Sequence, residues 1–442
     1  MEFPVLVKHF CLAAFIVIGG PLAAKEEWPQ WRGPEGQGHA VEAKDLPERW
    51  SETENVVWKT KLPGRGHSSP ILTDDQIWLT CAEEILADEA TAKERLKANT
   101  GGQPVSVMAE VSLWAVCLDR ESGGIKHRVE LLRVPDPQWV HKLNSYASPT
   151  PVLAEGRLYC HFGAFGTVCL DTASAQVVWR NQELQVMHEN GPGSTPVLVD
   201  GKLICHLDGS DRQFVAALDA GTGQVAWKTD RTGELRENPQ MRKSYGTPLV
   251  VTRGGRKEVI SQGADWLYGY DPETGKELWK VAYGDLGFSN VAKPVAGGGR
   301  LFLATGFGKT ELVAYSLEGS GAPQEIWRQK KAIPRMPSPI LVGPNVYVVN
   351  DSGVLSCFDA ATGEAHYQER IGGNFASSPL YADGKLYLGS QEGVTLVLAP
   401  GPVYQKLEEN TLEGAIMASP AAVGRALYLR TEHAMYRLEK KP

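Results

Sequence analysis

The sequence lacks most of the short motifs that assign a chemistry directly. Its seven cysteines include no adjacent pair and no C-x-x-C, which excludes covalently attached haem and a zinc ribbon. It has no run of Lys or Arg and a formal net charge of −7, so sequence-independent binding of nucleic acid is not expected. It also has no Gly-x-Ser-x-Gly elbow, and its Gly-Gly pairs fall in predicted hairpin turns instead of phosphate-binding loops.

Long apolar runs are also missing, apart from one at the N-terminus. A weakly basic segment precedes apolar residues 10–20, which are too few to span a bilayer, and Leu22-Ala23-Ala24 resembles a cleavage site. We therefore predict a signal peptide over residues 1–24 and export to the periplasm or the extracellular space. An uncleaved membrane anchor is the alternative. Cys11 lies at the start of the apolar run, so it is not placed as a lipoprotein cysteine.

Six cysteines follow the predicted signal peptide: Cys81, Cys117, Cys160, Cys169, Cys205 and Cys357. Export would permit disulfides, and Cys160 and Cys169 flank one predicted turn, where they could face each other. The preferred interpretation is that all six are small buried residues in strands.

Glycine, proline and tryptophan are abundant, with 47, 28 and 12 residues in a chain of 442. A small or polar residue before proline opens a repeated unit at Ser69-Pro70, Ser148-Pro149, Thr195-Pro196, Thr247-Pro248, Lys293-Pro294, Ser338-Pro339, Ser378-Pro379 and Ser419-Pro420. From Pro149 onward the interval is 40–52 residues, which is typical of a four-stranded propeller blade. The longer first interval, 79 residues, indicates an insertion of about 30 residues in the first unit.

Each unit follows the same order of strands and turns. Each unit has three apolar strands, of which the third ends in Asp or a substitute for it. A turn then leads to a fourth strand that carries Trp, as in Asp219 to Trp227. The Asp can accept hydrogen bonds from the turn backbone, Gly can supply the positive φ, and the flat Trp can bridge neighbouring sheets. The fold class predicted is therefore all-β: an eight-bladed β-propeller of four-stranded antiparallel blades.

The last unit lacks a fourth strand, and residues 56–60 match that strand, so we predict that the N-terminal strand completes the C-terminal blade. The predicted organisation is a signal peptide (1–24), an N-terminal arm on the propeller exterior (25–54) and the propeller itself (55–442). Residues 82–110 form the first-blade insertion. Its Ala-, Glu- and Lys-rich start, residues 82–98, favours a short helix.

The turn Asp-x-x-Thr-Gly-x-x-x-Trp, best kept in residues 219–227 and 271–279, resembles the signature of the pyrroloquinoline-quinone (PQQ) repeat propellers. The resemblance covers about residues 55–442. It implies either a PQQ-dependent alcohol or sugar dehydrogenase, or a BamB-like propeller related to outer-membrane β-barrel assembly. The Trp-Pro-Gln-Trp-Arg-Gly-Pro segment, residues 28–34, is similar to that of an exported group found in Planctomycetes and their relatives.

The dehydrogenase branch implies features that this sequence does not display. These are an adjacent Cys-Cys pair over the quinone, a carboxylate and an Asn on Ca²⁺ with an Asp base, and C-x-x-C-H in quinohaemoproteins. No adjacent cysteines and no C-x-x-C-H occur, and the calcium ligands cannot be matched residue by residue. His161, His206 and His433 show no zinc-ligand spacing and are interpreted as structural, so no metal site is predicted.

The residues just before each x-Pro are expected to line one mouth of the central channel. They are His67, Asn144, Tyr146, His188, Glu189, Asn190, Arg242, Lys243, Tyr245, Asn290, Lys293, Arg335 and Asn374. A tricarboxylate such as PQQ would suit the four cations Arg242, Lys243, Lys293 and Arg335. Glu189 with Asn190 or Asn290 could bind a cation. The alternative is a polar, water-filled channel without a specific ligand.

The leading hypothesis is an exported, non-catalytic module that binds a protein or a cell-envelope component, without a cofactor. The alternative is a quinoprotein alcohol or sugar dehydrogenase with a degenerate site for PQQ and Ca²⁺. A third hypothesis is a propeller lectin or a hydrolase-associated module that uses the same channel mouth.

Overall fold

The computed structural model describes residues 27–441, whose strands form eight four-stranded antiparallel blades arranged as a propeller, one of them extended by a short parallel strand. The predicted fold class is confirmed. The predicted signal peptide lies outside the described residues. Among residues 27–441, no helix is long and apolar enough to span a bilayer.

The blades are numbered from 1 to 8 in chain order, and the strands of each are given from the channel outward. Blades 1 to 4 consist of Ile71–Leu72, Gln76–Leu86, Met108–Asp119, Ile125–Pro135; Val152–Ala154, Arg157–His161, Thr167–Asp171, Val177–Asn181; Val197–Val199, Lys202–Asp208, Gln213–Asp219, Val225–Asp230; and Leu249–Arg253, Arg256–Gln262, Trp266–Tyr270, Glu277–Ala282. Blades 5 to 8 consist of Val295–Gly297, Arg300–Ala304, Leu312–Ser316, Gln324–Gln329; Ile340–Val342, Asn345–Val349, Val354–Asp359, Ala365–Arg370; Leu380–Ala382, Lys385–Gly389, Val394–Ala399, Gln405–Thr411; and Ala421–Val423, Ala426–Arg430, Ala434–Glu439, Val56–Lys61.

The ring closes as predicted, because Val56–Lys61 forms the outer strand of blade 8. It pairs antiparallel with Ala434–Glu439, so one sheet contains both the start and the end of the propeller. Closure of this kind removes an open seam between the first and last blades.

Neighbouring blades are joined by contacts between a tryptophan and a turn glycine. Trp179, on the outer strand of blade 2, donates from Nε1 to the carbonyl of Ala220 in blade 3 (3.0 Å). Its ring covers Gly223, which has a φ of +74° and where a Cβ would lie 2.4 Å from the ring. The same pairing recurs for Trp58 with Gly123, Trp227 with Gly275, and Trp327 with Gly363.

The Asp of the repeated turn organises the same hairpin. Asp219 Oδ1 accepts hydrogen bonds from the backbone nitrogen (2.8 Å) and the hydroxyl (2.9 Å) of Thr222. The turn pattern therefore does two things: its Asp and Thr shape the hairpin, and its Gly admits the Trp of the preceding blade.

A ring of hydrogen bonds joins the innermost segments, each from a backbone nitrogen to the hydroxyl of the next blade. Its seven links, at 2.9–3.0 Å, run from Ser69 to Thr150, Thr150 to Thr195, Thr195 to Thr247, Lys293 to Ser338, Ser338 to Ser378, Ser378 to Ser419, and Ser419 to Ser69. The ring corrects one predicted repeat: the second unit opens at Thr150-Pro151, not at Ser148-Pro149. The two dipeptides look alike in sequence, and only the hydroxyl ring distinguishes them.

The N-terminal arm corrects a second prediction, since residues 28–38 do not pack on the propeller exterior. Trp28 exchanges backbone hydrogen bonds with Leu72 of blade 1 (2.9 and 3.0 Å), and Gly38 accepts one from Tyr381 of blade 7 (2.8 Å). Arg32 reaches the carbonyl of Pro339 in blade 6 (2.8 Å). The arm therefore crosses one end of the central channel.

The rest of the arm runs outward along blades 7 and 8. His39–Ala40 pairs in parallel with the inner strand of blade 7. Trp50 is buried, stacks on Tyr387 at 6.3 Å between ring centroids, and its backbone nitrogen donates to Asn410 of the outer strand (2.7 Å). This path delivers the chain to the outer edge, where residue 56 begins the closing strand.

The first blade carries the expected extra segment. One α-helix, Glu89–Leu96, is capped by Asp88, but the preceding strand continues to Leu86, so the helix is shorter than predicted. A small sheet then pairs Val105–Ser106 with Val140–His141. The described residues also include two 3₁₀ turns, Gly163–Phe165 and Pro239–Met241.

The six cysteines after the predicted signal peptide are all free and buried. Cys160 pairs in register with Val168, and Cys169 pairs with Tyr159. The two sulfurs therefore lie on opposite faces of the sheet, which rules out the disulfide between them.

Candidate functional site

A central cavity of about 710 Å³ lies inside the ring of inner strands. The hydroxyl ring lines its deep end through Ser69, Thr150, Thr195, Thr247 and Ser419. The volume is within the usual range for small-molecule sites.

A second layer of residues lies two positions before each ring position. Alternate residues of an extended segment face the same side, so both layers point into the channel. The second layer consists of His67, Ser148, Gly193, Tyr245, Val291, Met336, Ala376 and Met417. The signal in the sequence is alternation counted back from each ring position, but the ring positions themselves are fixed only by the hydrogen bonds of the assembled propeller.

The arm supplies the floor of the cavity. Trp31 lines the cavity and donates from Nε1 to Ser419 Oγ (3.2 Å). Because the arm crosses this end of the channel, the cavity is a cup that opens at the opposite end. Sequence reasoning missed Trp31, since nothing near it in the chain indicates that it lies inside the ring.

The open end is bordered by segments from several blades. Gln103 and His141 come from the first-blade insertion and the strand it pairs with, and Gln240 comes from the 3₁₀ turn in blade 4. A Cβ at Gly101 would lie 3.2 Å from the Gln240 side chain, so the insertion and the blade 4 turn approach each other here. Leu143, Phe288 and Phe307 add apolar surface.

Three charged side chains line the cavity: Lys243, Arg335 and Asp351. Burial lowers the pKa of Lys243 to about 8, and its Nζ donates to Gln240 Oε1 (2.5 Å). Burial raises the pKa of Asp351, whose oxygens accept from the backbone nitrogens of Arg335 (2.8 Å) and Met336 (3.2 Å). Arg335 lies over the ring of Phe307 at 5.6 Å.

Two histidines line the cavity among the described residues, His67 and His141, and the pKa of each is lowered. Burial, with the charges of Arg65 and Arg430, lowers the pKa of His67 to about 3. Burial and the charge of Lys243 also lower the pKa of His141. Among the described residues, the charged groups of the mouth are therefore two cations, Lys243 and Arg335, and one carboxylate, Asp351. This carboxylate accepts hydrogen bonds from the backbone nitrogens of Arg335 and Met336.

Seven of the thirteen predicted mouth residues line the cavity: His67, Asn144, Asn190, Lys243, Tyr245, Arg335 and Asn374. Their role in binding a ligand stays a prediction.

The other six do not line the cavity: Tyr146, His188, Glu189, Arg242, Asn290 and Lys293. Tyr146 is buried and donates to the carbonyl of Gln138 (2.6 Å), and His188 accepts from the Ala164 backbone nitrogen (2.7 Å). Arg242 turns back to the carbonyls of Arg236 (2.6 Å) and Glu237 (2.9 Å).

The remaining three are also engaged elsewhere or enclosed. Glu189 accepts from Ser210 Oγ (2.9 Å). Asn290 is fully buried and donates to the Gly263 carbonyl (2.9 Å) and the Tyr283 hydroxyl (3.1 Å). Lys293 occupies a position of the hydroxyl ring, below the cavity. Asn290 misses the channel because it lies three residues before the ring position of its blade, out of phase with the alternation.

The residues present do not fit a quinone held by calcium. Of the residues considered for a cation site, Asn190 lines the cavity but Glu189 and Asn290 do not, and only two of the four cations considered for the quinone do. Within residues 27–441, no three His, Cys, Asp or Glu side chains are grouped so that they could hold a metal ion.

A buried polar cluster lies beside the cavity, between blades 3 and 4. Asp208 contacts Arg231 (Oδ1 to Nε, 3.1 Å) and His206 (Oδ2 to Nε2, 3.1 Å). Arg231 also donates to the hydroxyls of Ser261 (2.9 Å) and Tyr270 (3.1 Å). His206, which shows no zinc-ligand spacing in the sequence, is thus part of a hydrogen-bonded ion-pair network.

The sequence of this propeller matches the model of a known protein family. The model of the PQQ-repeat family described as outer membrane protein assembly factor BamB matches residues 112–262 and 313–401, more than half of the chain. The chain belongs to this family.

Curated relatives of the BamB-like chain include proteins of both functional branches. BamB of Shewanella oneidensis is 25% identical over 236 residues, which cover 49% of this chain and 55% of that protein. Quinohemoprotein alcohol dehydrogenase ADH-IIG of Pseudomonas putida is 28% identical over 160 residues, which cover 32% of this chain and 20% of the enzyme. The chain thus spans about half, or less, of the length of these relatives.

The solved structure of BamB from Moraxella catarrhalis superposes with a TM-score of 0.53 at 14% identity. The match covers 76% of this chain and 94% of that protein. At this identity the likeness shows a shared fold.

Proposed function

We propose that this chain is an exported, non-catalytic binding module that holds an extended segment of a cell-envelope protein in the mouth of the cavity. The observation that carries the proposal is the shape of the cavity, a cup closed by Trp31 at one end and open at the other. A closed floor suits the capture of a chain end or loop that enters from the open side.

The surface chemistry of the mouth supports a peptide that carries apolar side chains and a carboxylate. Leu143, Phe288 and Phe307 offer apolar contacts. Lys243 and Arg335 can attract an anion. Asp351, the only carboxylate among the described residues that line the cavity, accepts its hydrogen bonds from backbone nitrogens and not from these two side chains.

Family membership supports the same role. The family model and the Shewanella relative bear the name outer membrane protein assembly factor, so we infer a role in assembly at the cell envelope. The predicted signal peptide would place the protein in the periplasm or outside the cell, where such a partner would be met. No nucleic-acid partner is proposed.

Site-specific photo-crosslinking in the native host tests the proposal. A photoreactive residue at Leu143 or Phe307, 53% and 39% exposed at the mouth, is expected to capture one envelope protein. The matched controls are Val178 and Ile326, 43% and 42% exposed on the outer strands of blades 2 and 5, where no such adduct is expected. Adducts from the outer-strand positions alone, or from none of the four, would contradict a partner site at the mouth.

The alternative function is a quinoprotein dehydrogenase, which the size of the cavity and its two cations favour. Titration of the mature protein with PQQ and Ca²⁺, followed by quinone absorbance and thermal stability, distinguishes the two. We expect no binding at micromolar quinone, because Glu189, the only carboxylate considered for a cation site in the sequence, does not line the cavity. Tight binding that is lost in Lys243→Ala and retained in Lys330→Ala, an exposed lysine outside the cavity, would favour the dehydrogenase instead.

A further inference from the structure

Two cations are buried together beneath the floor of the cavity, between the arm and the hydroxyl ring. Arg32 of the arm is 1% exposed and Lys293 of blade 5 is 2% exposed. Neither is used by the proposed function of the cavity mouth.

Their side chains lie at the same junction, between blades 5 and 6. Arg32 Nη2 donates to the carbonyl of Pro339 (2.8 Å), and the backbone nitrogen of Lys293 donates to the neighbouring Ser338 Oγ (3.0 Å). Burial, followed by the charge of Arg32, lowers the pKa of Lys293 to about 7, which agrees with two cations close together.

The arm wraps both cations in a glycine-rich turn. A Cβ at Gly36 would lie 2.6 Å from Lys293 Nζ, and a Cβ at Gly38 would lie 2.8 Å from Arg32 Nη2. Both glycines have positive φ values, +66° and +88°. The turn thus encloses the two positive groups tightly and leaves no room for a large ligand.

Neither cation has a counter-ion among residues 27–441. Arg32 Nε and Nη1 are buried without a hydrogen-bond partner, and within the same residues Lys293 Nζ makes no hydrogen bond or ion pair. Residues 27–441 contain three other buried arginines, and each is better satisfied than Arg32. Arg430 has no carboxylate partner, but its Nη1 donates to the carbonyls of Ser68 (2.8 Å) and Thr80 (3.1 Å), and only its Nε is without a hydrogen-bond partner. Arg231 and Arg253 are each paired with a buried carboxylate, Asp208 and Glu258.

Lys293 also differs in residue type from the rest of the hydroxyl ring to which it belongs. The other seven positions of the ring are Ser or Thr, whereas Lys293 has no hydroxyl to accept from Thr247 of blade 4. A lysine at this position therefore removes one hydrogen bond of the ring and adds a buried charge. Burial of an unpaired charge is strongly unfavourable. Arg32 cannot avoid this cost by losing a proton, because an arginine side chain stays protonated in proteins.

We propose that Arg32 and Lys293 hold one small inorganic anion of the chloride class between the arm and the hydroxyl ring. The anion neutralises part of the buried charge and accepts the hydrogen bonds that Arg32 Nε, Arg32 Nη1 and Lys293 Nζ do not make within the protein. It thereby ties the arm to the floor of the channel.

Thermal unfolding of the full mature protein tests this site. The protein is dialysed free of chloride into gluconate at pH 6, where Lys293 retains its proton, and chloride is then titrated at constant ionic strength. We expect a saturable rise in Tm of a few degrees, since a ligand that binds only the folded state stabilises it. The same Tm in gluconate and chloride would overturn the proposal.

Lys293→Ser is the informative variant, because serine is the residue found at other positions of the ring and is expected to restore the missing link. This variant should remain folded and lose the chloride response. Lys330→Ser, a change of the same type at a lysine with a 71% exposed side chain, should keep the response. An unchanged response in Lys293→Ser would show that chloride acts elsewhere.

A crystal soaked in bromide gives a second readout that does not depend on stability. The anomalous signal of bromide is expected between the Arg32 guanidinium and Lys293 Nζ. A crystal with bromide at the surface and none at this junction would also overturn the proposal.

Discussion

Replacement of Asp208 by alanine is expected to lower the free energy of unfolding by about 3–5 kcal/mol, because it leaves a buried cation without its counter-ion. Asp208 and Arg231 are each about 1% exposed in their side chains. Arg231 would keep its hydrogen bonds to Ser261 and Tyr270 but lose the carboxylate that balances its charge. Urea denaturation of the purified protein measures the loss.

The control is Asp75→Ala, which removes an exposed carboxylate. Asp75 is 68% exposed and lies 3.3 Å from Lys126, so we expect a cost below about 1 kcal/mol. Equal losses for the two alanine variants would contradict the interpretation. A double variant, Asp208→Leu with Arg231→Met, should recover part of the stability, since it removes both charges together.

The same cluster predicts a pH dependence. Burial by itself would raise the pKa of Asp208, but the charges of Arg231 and His206 outweigh burial and hold the pKa below its ordinary value. In the unfolded chain the carboxyl of Asp208 titrates at pH ~3.9. The stabilisation that this carboxylate provides is therefore complete above that pH, and it is lost as the pH falls through the lower pKa of Asp208 in the folded protein. Asp208→Asn is expected to lose this acid dependence in urea denaturation measured from pH 5 downward.

Gly223→Ala is expected to cost about 2–5 kcal/mol, through two separate effects. Alanine at a φ of +74° is strained by about 1–2 kcal/mol. Its Cβ would also lie 2.4 Å from the ring of Trp179, and the displacement of packed atoms typically adds about 1–3 kcal/mol. Urea denaturation again gives the value.

Gly254→Ala separates the two effects. Gly254 also has a positive φ, +54°, but a Cβ there would meet nothing within 4 Å, so only the strain of about 1–2 kcal/mol is expected. In a Trp179→Ala background, Gly223→Ala should cost no more than Gly254→Ala, because the clashing ring is gone. A cost for Gly223→Ala that is the same with and without Trp179 would mean that the ring does not press on this turn.

The elements that were predicted from the sequence depend on residues close together in the chain. The Asp-to-Gly turn of blade 3 spans Asp219 to Gly223, and its hydrogen bonds join residues three or four apart. The alternation of apolar residues within a strand is equally local. The period of the repeat is visible because every unit carries the same short patterns. The missing fourth strand of the last unit was visible for the same reason, since residues 56–60 carry the pattern of that strand on their own.

To predict the candidate site, one must know which residue of each inner segment faces the channel as well as where the repeats lie. Seven of the thirteen residues predicted at the channel mouth line the cavity, yet Asn290 does not, while Val291, next in sequence, does. A shift of one residue in an extended segment moves a side chain to the opposite face. The hydroxyl ring sets this phase, and it exists only when eight blades are closed against one another.

By itself, the sequence determined the blade number, the strand order, the turns and the closure of the ring, because each rests on short-range geometry that repeats. The tertiary structure alone decided that the arm enters the channel, that Trp31 forms a floor, and that Arg32 and Lys293 meet below it. Those contacts join distant parts of the chain, as in the hydrogen bond from Arg32 to Pro339 across 307 residues. No local pattern encodes such a meeting, since it depends on the surface that the assembled blades present to the arm.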